Sequence, residues 1–307
     1  MNDRMPTITE CHIERTILRT LYYFELFSYP LTEQEILRFA HNLKGDAESI
    51  PSEAVLQEKL RSLEEEGKLF RFGEYFQTRN TPEWVGQRQD NNSRADAMLP
   101  IARRIAGLID AFPFVRAVFV SGSLSKHSMR PDSDIDFFII TEPERLWLAR
   151  TLLVAFKKLF LFNSHKYFCV NYFIDTEHLE IEEKNLFTAT EVVTLLPMYG
   201  KEWCQAFLGA NAWAFHQFPQ MPRRSMKDVP PQKQGVLKRT LEYLLSGRFG
   251  NWLDQLTLRI TVGFWKRKFR HFDDPTFNIA LKSRRYVSKH HPMYFQDKVL
   301  RHMESKV

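Results

Sequence analysis

The stretch Val118-Phe-Val-Ser-Gly-Ser-Leu-Ser-Lys-His-Ser-Met-Arg-Pro-Asp-Ser-Asp-Ile-Asp-Phe-Phe-Ile-Ile140 decides how the rest of the chain is read. An apolar run from Ala117 to Val120 stops abruptly at Ser121-Gly122-Ser123, the pattern of a strand that turns at a glycine into the first turn of a helix. Such a turn suits an anion, because the first N–H groups of a helix have no partner and glycine lets a phosphate approach the backbone. Ser123 adds a hydroxyl. After ten intervening residues come Asp134-Ile135-Asp136 and the apolar run Phe137 to Ile140. Alternate residues of a strand share a face, so Asp134 and Asp136 point the same way while Ile135 points into the core. Two facing carboxylates with no cation in the run repel each other unless a divalent metal lies between them. Magnesium commonly takes one or two carboxylates together with substrate phosphates.

A phosphate-holding turn beside a metal-holding strand implies a nucleoside triphosphate with its metal. The combination of Gly122-Ser123, the ten-residue gap, and Asp134-Ile135-Asp136 on an apolar strand resembles the signature of the polymerase beta superfamily of nucleotidyltransferases. The resemblance implies an α+β fold with a mixed β-sheet. It also implies magnesium, or manganese in its place, at Asp134 and Asp136, and transfer of an NMP from an NTP to a hydroxyl acceptor. Gly122 and Ser123 would grip the phosphates. Lys126 and Arg130, in the intervening loop, would steady the leaving pyrophosphate, the alternative being solvated loop charges. The acceptors used across this superfamily include proteins, small molecules and RNA, and the motif is the same for each.

The superfamily places a third carboxylate on the next strand. Here that strand is Tyr167 to Ile174, and the residue at the expected place is Asn171. An asparagine offers a metal its carbonyl oxygen but cannot accept a proton from an attacking hydroxyl. Asp175, four residues on, lies about 13 Å farther along an extended strand. Glu191 is a second candidate for the missing acid, set against a capping-box role behind Thr188. Cys169-Val-Asn-Tyr-Phe-Ile174 followed by Asn185 to Glu191 resembles a bacterial branch of nucleotidyltransferase-like proteins that also carries asparagine. The alternative to an enzyme is therefore a catalytically weak or inactive nucleotide-binding or regulatory protein that keeps the fold.

Upstream, residues 1–80 read as three helices and a hairpin. Ile13, Ile17, Leu21 and Phe24 recur at helical spacing, and Thr32 with Glu35 forms a capping box for a second helix. After a break from Lys44 to Pro51, Ser52 starts a third helix that ends at Gly67, and two alternating runs flank Gly73-Glu74. This order resembles a winged helix-turn-helix. Its third helix carries Glu53, Glu58, Glu64, Glu65 and Glu66 against Lys59 and Arg61. That is the wrong sign for duplex DNA, so residues 1–80 are expected to dock a protein partner. Residues 81–99, with Pro82, Gly86 and Asp90-Asn-Asn-Ser93, read as a linker running into a helix. Residues 100–221 then form the nucleotidyltransferase core, and residues 222–307 a basic helical C-terminal region.

Charge supports that last boundary: residues 222–307 hold 19 lysines and arginines against 7 acidic residues, out of 43 and 37 in the 307-residue chain. The stretch Gly263-Phe-Trp-Lys-Arg-Lys-Phe-Arg-His-Phe272 mixes cations with aromatics, which suits a membrane surface, a single-stranded nucleic acid, a basic face closing over the nucleotide, or a solvated helix face. His290, His291 and His302 read as surface histidines. Three scattered cysteines, Cys11, Cys169 and Cys204, read as reduced, buried thiols. Leu146 to Phe162 is interrupted by Arg150, Lys157 and Lys158, so no transmembrane segment is expected. With no signal-peptide pattern at the start, the expected location is cytoplasmic.

Overall fold

The computed structural model describes residues 8–41, 51–161, 166–290 and 295–306. His291 and most of the break expected after Lys44 lie outside them. The N-terminal unit comprises α1 (Ile8–Glu25), β1 (Leu31–Thr32), α2 (Glu33–Phe39), α3 (Glu53–Glu65), β2 (Phe70–Phe72) and β3 (Tyr75–Gln77). The two predicted caps form: Thr32 and Glu35 close a capping box on α2, and the Ser52 hydroxyl accepts from the Val55 N–H on α3. Gly67 ends α3 at φ +70°, a backbone conformation that favours glycine. The short strands form a sheet in the order β1-β3-β2. Ile17, Leu31, Ile36, Leu56 and Leu63 pack beneath it as a separate core.

Residues 81–99 are not a linker. They open a single 28-residue helix, α4 (Glu83–Asp110), which runs through Pro100. Gly86, the Asp90–Ser93 run and the missing N–H of Pro100 are poor helix formers, but tertiary packing overrides them. Arg88 is buried against the N-terminal unit and Ala95 against the main core.

Beyond α4 lie β4 (Val115–Ser121), the one-turn helix α5 (Gly122–Ser125), β5 (Asp136–Thr141), α6 (Leu146–Phe160), β6 (Cys169–Asp175), α7 (Leu186–Thr194), β7 (Leu196–Tyr199), α8 (Lys201–Ala210) and α9 (Ala212–Gln217). The chain closes with α10 (Val236–Leu244), α11 (Gly247–Lys268), α12 (Asp274–Ala280), β8 (Ser283–Arg284), β9 (Val287–Lys289) and α13 (Phe295–Ser305). Six strands form one mixed sheet, β7-β4-β5-β6-β9-β8, in which only the β5–β6 pair is parallel.

Three strands of this sheet were hidden in the sequence. Leu196-Pro-Met-Tyr199 forms an edge strand, where a proline costs no ladder bond. The hairpin β8–β9 comes from the supposed helical C-terminal region and pairs with β6. The boundary at 222 is therefore not a physical one: β9 extends the central sheet, while Val299 and Met303 of α13 enter the N-terminal core.

Alternation along β4 sorts its side chains onto two faces. Val118 and Val120 meet α4, α6 and α11, while Ala117 and Phe119 meet α7, α8 and α9. Phe119, Phe137, Phe173 and Ile139 are fully buried, each worth about 1.5–3 kcal/mol of apolar transfer. The sheet is thus covered on both sides, and its Ser121–Asp136 end is held rigidly.

Candidate functional site

Antiparallel pairing of β4 with β5 puts Ser121 opposite Asp136, so the glycine turn and the carboxylate strand end side by side. Gly122 takes φ +65°, and a Cβ there would collide with the Asp136 carboxylate. Both observations demand glycine: left-handed backbone disfavours other residues, and the space is already filled. Ser123 follows in the single turn of α5, which the Ser125 hydroxyl closes by donating to the Gly122 carbonyl at 2.8 Å.

Asp134 lies just before β5, in an extended approach rather than within the ladder. Ile135 between the two acids is fully buried, and its N–H and C=O pair with Lys166 and Cys169 across the sheet. The charge of Asp134 nevertheless acts on Asp136, so the two carboxylates lie near one another. Burial pushes the Asp136 carboxyl up to about 7, and the negative charge of Asp134 adds to that rise. A divalent cation would reverse both effects. Two hard oxygen donors of this kind would suit a divalent cation, whose remaining ligands would have to come from elsewhere. Among the described residues no group of three or more histidine, cysteine, aspartate or glutamate side chains is placed to hold a metal by itself.

Asn171 stands at a β-bulge. Phe137 pairs with Val170 and Phe138 with Tyr172, leaving Asn171 as the extra residue. The bulge resets the alternation of β6, so that Val170 and Phe173, three apart, fill the same core. It also swings Asn171 against Asp136, whose Oδ1 accepts from the Asn171 amide at 2.5 Å. The Cys169 thiol donates in turn to the Asn171 carbonyl oxygen at 2.8 Å. The asparagine therefore turns its nitrogen, not its oxygen, toward the acidic pair. This favours ionised Asp136 and opposes the rise that burial causes.

The loop cations have partners in the fold. The Lys126 ammonium donates to the Gly122 carbonyl at 3.2 Å and pairs with Glu191 at 2.8 Å. Its charge therefore lies beside the Gly122 turn. Arg130 is exposed and donates to the Phe27 carbonyl at 2.8 Å. It lies at the loop's outer edge, against the N-terminal unit. Glu191 is not a capping residue, because Asn185 caps α7 by accepting from the Thr188 N–H. Its charge nevertheless reaches Asp136 and raises its carboxyl slightly. Asp175 pairs with Thr141 at the far end of β6 and binds the backbone of Glu177 and His178, away from the site.

Lys157 was not anticipated. It occupies the buried stripe of α6 with Leu146, Arg150 and Leu153, and burial lowers its ammonium while Asp134 and Cys169 act in the opposite sense. Cations on an otherwise apolar stripe are the signal that could have exposed it. His290 is likewise more than a surface residue: its N–H donates to the Asn171 carbonyl at 2.9 Å, and its ring packs on Trp265. Cys11 is exposed, Cys169 lies in the site and only Cys204 is buried, so the uniform reading of the cysteines fails.

The comparisons with known proteins agree with this geometry. Residues 104–206 match the family model of the nucleotidyltransferase domain. That span holds the turn, both aspartates and Asn171. No curated protein and no solved structure matches the chain. The chain carries a nucleotidyltransferase domain of the polymerase beta superfamily.

Proposed function

We propose that the protein is a metal-dependent nucleotidyltransferase that moves an NMP from an NTP to a hydroxyl acceptor. The observation that carries this reading is the contact between Gly122 and the Asp136 carboxylate, which joins a phosphate turn to an acidic pair. Gly122 and Ser123 hold the β- and γ-phosphates through backbone N–H groups and the Ser123 hydroxyl. Lys126 adds positive charge from behind, and Arg130 borders the loop through which pyrophosphate leaves. Asp134 and Asp136 hold magnesium or manganese, which when bound offsets the charge of the triphosphate and of the oxygens around the α-phosphorus.

The acceptor oxygen forms a bond to the α-phosphorus as the bond to the bridging oxygen breaks, and pyrophosphate departs with that electron pair. The acceptor hydroxyl also loses a proton. Asn171 cannot take it, so it passes to water or to a base carried by the acceptor, and turnover is slow. That same residue favours a second reading, a nucleotide-binding regulatory protein with weak or no transfer. The acceptor classes consistent with the motif are a protein, a small molecule and RNA.

The order α1, β1, α2, α3, β2, β3 supports reading the N-terminal unit as winged-helix-like. The acidic α3 supports protein docking over duplex DNA. No described helix is long and apolar enough to cross a membrane. Incubation with labelled NTPs, manganese or magnesium, and candidate acceptors tests the enzyme reading. Transfer that Asp134→Ala and Asp136→Ala abolish supports it; metal-dependent nucleotide binding with no transfer to any acceptor class supports the regulatory reading.

A further inference from the structure

α10 is built inside out. Lys238 is buried, and its ammonium donates to the carbonyls of Asp110 and Val115 at 2.7 and 2.8 Å. Glu242, on the same face one turn later, accepts from the Phe114 N–H and pairs with Arg116 at 2.8 Å. The polar face therefore points into the protein. The opposite face, with Val236, Leu237, Tyr243 and Leu244, is 62–80% exposed. A solvated helix on a protein surface normally has the reverse arrangement.

α11 continues this surface. Gly250, Asp254 and Trp265 are buried on the side that packs on α6, where Asp254 accepts from the Leu148 N–H at 2.9 Å and Trp265 meets Trp147. On the far side Phe249, Trp252, Leu256, Ile260 and Phe264 recur at steps of three and four residues and so share one face. Four of these five are more than half exposed, and the Phe249 and Trp252 rings stack on each other. The helix is apolar on both sides. Most large hydrophobic side chains exposed on the described surface belong to these two helices.

The charges decide what covers this face. Between Val236 and Phe272 the only carboxylates are Glu242 and Asp254, both turned inward. The exposed ionic groups are all cations: Arg239, Arg248, Arg259, Lys266, Arg267 and Lys268, with Arg270 just beyond the helix. A symmetric second copy would set these cations against one another. Val236, Leu237, Leu244 and Ile260 have no π face for stacked bases, so a nucleic acid would leave the aliphatic half of the strip uncovered. An anionic lipid surface matches both parts, with apolar side chains entering the acyl boundary and cations lying among acidic headgroups. α10 is also not a lid over the nucleotide, since it is anchored at the Val115 end of β4, about 20 Å along the strand from Ser121.

We infer that α10 and α11 form a monotopic docking face for an anionic phospholipid bilayer, holding the nucleotidyltransferase domain at a membrane surface without crossing it. The full chain should cosediment with phosphatidylcholine vesicles containing phosphatidylglycerol and remain in solution with phosphatidylcholine alone. Removing cations near the surface lowers partitioning about fivefold each, so the triple change Arg248→Gln, Arg259→Gln and Lys266→Gln should cost roughly hundredfold. Trp252→Ser with Ile260→Ser and Phe264→Ser should abolish sedimentation. All six side chains are exposed, so both variants should unfold at the wild-type temperature, which separates lost binding from lost fold. Equal partitioning to neutral and anionic vesicles would overturn the inference, as would unchanged sedimentation of either variant. So would preferential binding of single-stranded RNA, or a wild-type dimer that the serine variant dissociates.

Discussion

Replacing Asn171 with aspartate probes both the acidic pair and the missing third acid. In the native site the Asn171 amide donates to Asp136 Oδ1 at 2.5 Å, and burial already pushes Asp136 up to about 7. The substitution puts a carboxylate oxygen where that donor was. It removes a hydrogen bond to a charged group, worth about 1.5–3 kcal/mol, and brings a third negative charge against Asp134 and Asp136. One of the three carboxyls must then keep a proton near neutral pH, which limits the repulsion and leaves at most one O–H donor within the cluster, so the comparison is made at pH 8, above the raised Asp136 carboxyl. The metal-free variant should therefore be less stable than wild type by about 2–4 kcal/mol. Manganese should reverse the order, because three carboxylates offer a divalent cation more than two do. The measurement is chemical denaturation of both proteins, metal-free and with saturating manganese, alongside labelled NMP transfer. The transfer rate of the variant should rise. A metal-free variant as stable as wild type would show that position 171 does not face Asp136. A metal-induced gain no larger than that of wild type would refute the third-acid argument.

Gly122→Ala combines left-handed strain of about 1–2 kcal/mol with a Cβ that collides with Asp136; NTP binding measured calorimetrically should weaken by more than about tenfold while circular dichroism stays native. For pH, the Asp136 carboxyl is raised from its ordinary 3.8 to about 7, so the unfolded chain loses this proton before the folded chain does. Metal-free stability should consequently fall as pH rises from about 4 to about 7, and manganese affinity should climb over the same range, both followed by denaturant titration. Arg88 is buried between the rings of Tyr29 and Tyr75, at 4.3 and 4.7 Å, and pairs with Glu35 at 2.7 Å. Arg88→Ala removes the ion-pair partner of Glu35, which keeps its Thr32 bonds, and empties this slot, so calorimetry should show a loss of about 2–3 kcal/mol, concentrated in the N-terminal unit.

The parts of this fold legible in the sequence are those set by local chemistry. Thr32 with Glu35, Ser52 before α3 and Gly67 after it mark helix ends through bonds that span only a few residues. The run from Val118 to Ile140 reveals its two strands because alternation and the glycine turn lie within one hairpin. What escaped depends on partners far away in the chain. β8 and β9 are too short and polar to announce themselves, and they exist as strands because β6 offers them an edge. The bulge at Asn171 is a register event between two strands 35 residues apart, so sequence supplies the residue but not its orientation. Lys157 and Glu191 reach the site from helices, one on each side of the sheet, and neither belongs to the motif.

The misread linker shows how far these remote contacts shape the site. A helix of 28 residues spans about 42 Å, and α4 uses that length to join three regions. At its start Arg88 grips the turn after α1, donating to the Pro30 carbonyl. One turn on, the Asn91 carbonyl accepts from the Met129 N–H, and Asp96 pairs with His127 at 2.7 Å. At its end Asp110 accepts from the Lys233 N–H, and its carbonyl from buried Lys238. Met129 is itself buried, so the loop between Gly122 and Asp134 is pinned at its middle rather than at its ends alone. The N-terminal unit adds two more fixings, Tyr29 to the Lys126 carbonyl and Arg130 to the Phe27 carbonyl. A loop held at this many points presents Lys126 and the acidic pair in one arrangement, the preorganisation that the proposed nucleotide binding would draw on. The same residues that give this stretch its poor helix propensity, the Asp90–Ser93 run among them, include the ones that grip the loop. Asn91 does so through its main-chain carbonyl, so the helix is held by what it joins.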